Sequence, residues 1–136
     1  MLPTAIFWPM IAHALLVGIV YAVLGVRRQK ALRSGEAKPS TFRSRGVEPA
    51  VSATASANLE NQFELPMLFH AVCLGFFVTN GVSYLVVVLA WIFIALRYVH
   101  AFLHLGPNRV QYRSGAFALG FLVLAVMWVS FAIHIA

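Results

Sequence analysis

Acidic side chains are nearly missing from this chain, which has no aspartate and four glutamates in 136 residues. Only 10% of its residues are charged, 61% are apolar and its mean hydropathy is +0.84, a balance that excludes an ordinary soluble domain. A small integral membrane protein is the class that remains. Cysteine occurs once, so no intrachain disulfide can form, and Cys73 sits in an apolar run where it reads as a packing residue. Strand-like alternation is lacking as well. A run such as Leu85-Val-Val-Val-Leu-Ala-Trp-Ile-Phe-Ile-Ala95 has no period of two, which argues against a transmembrane barrel and for helices.

Four apolar windows, about 2–26, 57–79, 82–105 and 114–136, are each long enough for the roughly 20 residues that a bilayer core requires. The fold expected is all-α, a four-helix membrane bundle in one domain over 1–136, with a basic connection at 27–48. Lys and Arg are absent before Arg27, from the Thr79-Asn80-Gly81 turn and from the carboxyl tail. They gather instead at Arg27, Arg28, Lys30, Arg33, Lys38, Arg43 and Arg45 in the first connection, and at Arg109 and Arg113 in or beside the third. The positive-inside rule then puts these two connections in the cytoplasm and both termini outside. With no basic residue ahead of the first run and no small-residue cleavage site after it, that run reads as a retained helix. Charge so close to the bilayer suits anionic lipid and not nucleic acid.

Within the first run Ala14, Gly18 and Ala22 recur at four-residue steps, a stripe of small residues that predicts a packing seam. His13 beside it reads as a polar contact. The stretch 34–56 is rich in Ser, Pro, Gly and basic residues, and Glu48-Pro49 marks a helix start. A second helix over 49–79 would span about 45 Å, more than the hydrocarbon core, so its Ala- and Ser-rich first turns project beyond it. Pro66 inside that helix removes a backbone hydrogen bond near Gln62 and predicts a kink. Asn80-Gly81 predicts a tight turn and an antiparallel hairpin, in which Glu64 faces Arg97 and Glu60 faces Ala101, to within a few residues.

Two carboxylates, Glu60 and Glu64, stand at the head of an apolar run, where an ionised group costs several kcal/mol unless partnered. Across the hairpin Arg97, His100 and His104 follow steps of three and four and share a helix face. Asn58, Asn61 and Glu64 share another. Facing each other, the two stripes would form a polar pocket walled by Phe63, Phe69, Tyr98 and Phe102, with Arg109 and Arg113 at its mouth. The plain alternative is that Glu64 and Arg97 are a buried ion pair that only fastens the hairpin. A metal or haem site at His100 and His104 lacks a third ligand, so no metal is assigned.

The Asn61-Gln-Phe-Glu64-x-Pro-x-Leu-Phe69 segment, the Arg97-Tyr-Val-His100-x-x-x-His104 segment and Pro107-Asn108-Arg109 together resemble the membrane-associated proteins in eicosanoid and glutathione metabolism, the MAPEG family, in its bacterial form. The resemblance implies a homotrimer in the inner membrane that holds glutathione as co-substrate between subunits near the cytoplasmic face and acts on a lipophilic small molecule. By position it implies that Asn61 and Glu64 bind glutathione, Glu64 at its amino group, and that His100 and His104 stand where tyrosines often line the pocket. It also implies thiol activation by Arg109, with Arg113 as the alternative, and a contribution of Arg27 or Arg28 from a neighbouring subunit. Arg97 completes the cationic set. The chemistry suits the ligand: two carboxylates and an ammonium call for several cations and an anion, and a thiol of pKa near 8.5 needs a cation to ionise at neutral pH.

One departure stands out. Family enzymes carry an Arg near position 57, and this chain has Thr54 to Ala57 there, with no cation. A transferase or peroxidase is the leading function, and a non-catalytic member binding a lipid or a protein partner is the first rival. A proton-coupled exporter with Glu64 as carrier is the second, disfavoured by Arg97 at the same depth.

Overall fold

The first apolar run does not stop where its basic residues begin. In a computed structural model that describes residues 2–43 and 46–136, a 3-10 turn at Pro3–Ile6 leads into α1 (Phe7–Arg33), 27 residues long. Arg, Gln, Lys, Ala and Leu all favour helix, and Lys30 and Arg33 lie in the last turn, where cations complement the helix dipole. The helix ends just before Gly35, whose φ of 78° is a left-handed conformation. The expected boundary near residue 26 is therefore seven residues short. Arg45, counted with the basic connection, lies outside the described residues.

The second segment is two helices where one was expected. α2 (Ala50–Asn61) and α3 (Leu65–Val78) are separated at Gln62, Phe63 and Glu64, and Glu64 has φ −93° and ψ −104°. Pro66 has no N–H to offer the carbonyl of Gln62, and its ring opposes a helical approach, so the expected kink becomes a break. The break redirects the chain. α2 packs on α1 with Ser52 and Ala55 fully buried, whereas α3 leans toward the far end of α5.

After the turn, Ser83 caps α4 (Tyr84–Leu105) by accepting a hydrogen bond from the Val86 N–H at 3.3 Å. Asn80 takes a left-handed φ of 56° in this turn, and Gly81 leaves room for the His134 ring, which a Cβ at that position would strike. α5 (Val110–Ile135) follows a second short turn in which Asn108 has φ 46°.

α4 is the centre of the bundle and touches α1, α2 and α5. Its buried residues, from Val86 and Val87 through Ala90, Phe93, Ile94 and Arg97 to His104, recur at helical steps. Phe93 stacks on Phe69 of α3 with ring centroids 4.6 Å apart. The seam predicted on α1 is not used inside the chain. Pro9, His13, Leu16, Val20 and Leu24 fill the interior, and Ala14, Gly18 and Ala22 face outward.

Large apolar side chains such as Leu15, Ile19, Leu85, Phe121 and Leu122 stand exposed around the bundle, an arrangement stable in lipid and not in water. Pro3–Arg33, Tyr84–Leu105 and Val110–Ile135 are each long and apolar enough to cross a membrane. All regular structure among the described residues is helical, and the chain is an all-α membrane bundle.

Candidate functional site

The break between α2 and α3 exposes main-chain and side-chain polar groups to the middle of the bundle, and Arg97 reaches them from α4. Its Nη2 donates to the Asn61 carbonyl oxygen at 2.9 Å and to Gln62 Oε1 at 3.4 Å. Gln62 Nε2 donates to Asn58 Oδ1 at 2.8 Å, and Asn58 Nδ2 donates to the Ala101 carbonyl at 3.2 Å. His13 Nε2 lies 3.3 Å from Gln62 Oε1, and His13 Nδ1 lies 3.0 Å from His70 Nε2. Gln62 Oε1 can only accept, so His13 donates from Nε2, and its bare Nδ1 accepts from His70. One connected network thus joins α1, the break and α4.

These bonds correct two expectations. Asn58 is buried in the network and does not belong to a ligand-facing stripe with Asn61. Glu64 is exposed at the break, and among the described residues the only ion pair within 4 Å is Arg28 with Glu48, so Glu64 and Arg97 do not form one. The register lies two to three residues from the reflected one, within the few residues expected, with Arg97 beside Asn61 and Gln62, and Ala101 beside Asn58. The bent path through the break uses more residues than straight α4 to cover the same distance from the turn.

Beside the network lies a cleft of about 210 Å³ lined by Asn61, His100, Arg113, Ser114 and Phe117. Asn61 is half-buried and its Nδ2 donates back to the Ala57 carbonyl, which leaves Oδ1 free. His100 Nδ1 lies 3.2 Å from the Arg113 carbonyl oxygen. His104 stands one turn further on α4, its ring edge-on to His100 at 5.8 Å. Arg113 donates from Nη1 to Asn108 Oδ1 at 2.8 Å, and Arg109, at the start of α5, is exposed. Four buried polar atoms on the 97, 100, 104 stripe have no partner among the described residues: Nε and Nη1 of Arg97, Nε2 of His100 and Nδ1 of His104. Such atoms are costly to bury, and a polar ligand would satisfy them.

The aromatic walls predicted for this pocket fall elsewhere. Phe69 is in the core, Tyr98 donates its hydroxyl to the Ala12 carbonyl at 2.8 Å, and Phe102 points outward. Phe63 borders a separate, largely apolar cleft with His13 and His70. The wall is Phe117, whose helix the sequence pattern left out of the site. A spacing of four from Arg113 was the one signal that could have suggested it.

Arg27 and Arg28 are engaged within their own chain. Arg27 donates to Thr54 Oγ1 at 2.7 Å and to the Leu105 carbonyl, tying α1 to α2 and α4. Arg28 grips Glu48 through two bonds of 2.9 and 2.8 Å, and Glu48 also accepts from Ser52 Oγ at 2.7 Å. The Arg28 hydrogen bonds hold the Glu48 carboxyl below its ordinary range, helped by Ser52. Glu60 borders a cleft of about 520 Å³ at this end, with Arg28, Arg43 and Ser56 among its walls. Among the described residues no three His, Cys, Asp or Glu side chains are grouped to hold a metal ion.

Comparison with curated proteins and with solved structures yields no match. The sequence model described as the MAPEG family matches residues 5–133, which includes α1 to α4 whole, all but the last two residues of α5 and both stripes of the site. On the strength of that match along nearly its whole length, the chain belongs to the MAPEG family, which includes glutathione transferases and peroxidases.

Proposed function

We propose that this protein is a glutathione-dependent transferase or peroxidase that works on hydrophobic electrophiles drawn from the bilayer. The observation that carries this is the set of four unpartnered polar atoms buried on Arg97, His100 and His104 among the described residues, of which His100 lines a cleft together with Asn61 and Arg113. A soluble tripeptide with two carboxylates, an ammonium and a thiol matches this chemistry better than a lipid does. Arg97, Arg109 and Arg113 supply cations, and Glu64, which makes no ion pair among the described residues, is available to an ammonium.

In this proposal the cleft is completed by a second copy of the chain in a homotrimer. The outward Ala14, Gly18 and Ala22 stripe gives α1 a surface on which a neighbour can pack closely. Arg27 or Arg28 of that neighbour would reach the tripeptide by exchanging its bonds to Thr54 and Leu105, or to Glu48, for the ligand. The two basic connections face the cytoplasm, with both termini on the other side of a bacterial inner membrane.

Titration of glutathione into the purified protein is the test. Binding is expected to give measurable heat and Glu64→Gln to abolish it, and native mass spectrometry is expected to show a trimer. A specific observation favours one other outcome. Ala57 is exposed and uncharged where family enzymes carry an Arg, so silence at millimolar glutathione would favour a non-catalytic member that binds a lipid or a protein partner.

A further inference from the structure

His100 holds its ring in one tautomer. The Arg113 carbonyl can only accept, so the 3.2 Å contact requires His100 to donate from Nδ1, which leaves Nε2 with a bare lone pair. That Nε2 is buried and has no partner among the described residues. The side chain lines the 210 Å³ cleft together with Asn61 and Arg113. A buried acceptor on a ring that lines a cleft, oriented from behind by a main-chain carbonyl, is the arrangement required of a general base.

The geometry points to His100 as the proton acceptor for the thiol of glutathione bound in this cleft, a catalytic role distinct from holding the tripeptide. This assignment rests on the glutathione-binding function proposed above. The S–H bond breaks as an N–H bond forms at Nε2, and the thiolate is left among cations. In addition to a lipophilic enone, an S–C bond then forms at the β-carbon while the electron pair moves to the carbonyl side. The proton on Nε2 passes to the α-carbon, so the step is balanced with no further reactant.

The charged and titratable groups around His100 are Arg97 and His104 on α4 and Arg113 on α5. The guanidiniums would stabilise the sulfur anion, but their carbon-bound nitrogens carry no free lone pair at neutral pH and cannot take its proton. His100 can, and the donor side of its ring is already committed to the Arg113 carbonyl. Phe117, 5.9 Å from His100 between ring centroids, supplies the apolar side of the cleft.

The test uses the full chain in detergent with glutathione and a long-chain enone. The ultraviolet thiolate band of bound glutathione is followed against pH, beside calorimetric binding, in the wild type and in His100→Phe and His100→Gln. Gln can still donate to the Arg113 carbonyl but takes no proton, so it separates a structural role from a chemical one. Both variants are expected to keep calorimetrically measurable glutathione binding, weakened by the lost contact at Nε2, and to lose about 10²-fold in addition rate at saturating glutathione. Their thiolate midpoint is expected to rise toward the free-thiol value of about 8.5. An unchanged midpoint and rate in His100→Gln, with binding retained, overturns the assignment to His100 alone. Failure of the wild type to bind glutathione overturns both this assignment and the function on which it rests.

Discussion

Arg97 on α4 donates from Nη2 to the main-chain carbonyl of Asn61, the last residue of α2, at 2.9 Å. In an unbroken helix that oxygen would accept from the N–H of Leu65, and Arg97 would find it occupied. The Pro66 break frees the carbonyl, and the guanidinium takes it. A single proline thus decides both the course of the second segment and the partner of the only cation in the third.

Because Arg97 bonds to Asn61 and Gln62 and not to Glu64, a double-mutant cycle of Arg97→Met and Glu64→Gln is expected to be near-additive. The coupling in thermal or denaturant stability should stay within about 0.5 kcal/mol. A coupling above about 1 kcal/mol would show that the two side chains pair directly after all.

Asn58 and Asn61 look equivalent in the sequence and are not. Asn58→Ala strands Gln62 Nε2 in the interior and should destabilise the protein by about 1–3 kcal/mol. Asn61→Ala loses only a local bond to Ala57 and should change stability by less than about 0.5 kcal/mol while weakening glutathione binding. Melting curves and ligand titrations of the two variants, run in parallel, distinguish them.

Glu48 makes stability depend on pH in a defined direction. Its carboxyl is held below the ordinary range in the folded chain, chiefly by Arg28. The bound state therefore contributes stability in full above the unfolded carboxyl pKa of about 4.3, and loses it as pH falls through the lower folded value. Melting temperature is expected to drop between pH 5 and the acid end more steeply in the wild type than in Glu48→Gln. Equal slopes would remove Glu48 from the account.

Gly81 is required by a neighbour and not by its own backbone. A Cβ there would meet the His134 ring, which lies 3.2 Å from both the carbonyl and the hydroxyl of Thr79. Gly81→Ala should destabilise by about 1–3 kcal/mol, and adding His134→Ala should recover most of the loss. Full additivity of the two changes would mean that the clash is not the cause.

Hydropathy and the scarcity of acids were enough to read a helical membrane bundle, because a bilayer leaves few ways to satisfy a backbone and each shows in composition. Short motifs around Asn61, Glu64, Arg97 and His100 were enough to read the family. Arg97, His100 and His104 on one face followed from spacing alone, since helical steps are set by local geometry. The partners on the other side did not follow. Reflection about Asn80-Gly81 assumes that both arms advance equally, and the break at Gln62 to Glu64 violates that assumption.

What the sequence by itself determined is the solvent the chain folds in, its helices, its family and one polar stripe, all consequences of local pattern. What only the tertiary structure decided is contact. It joined Arg97 to a carbonyl instead of Glu64, sank Asn58 into the core, turned the small-residue stripe of α1 outward and brought Phe117 and the Arg113 carbonyl to His100. The reason is physical: which faces meet depends on where a helix bends and how its neighbours pack around the bend, and no residue's own preference encodes that.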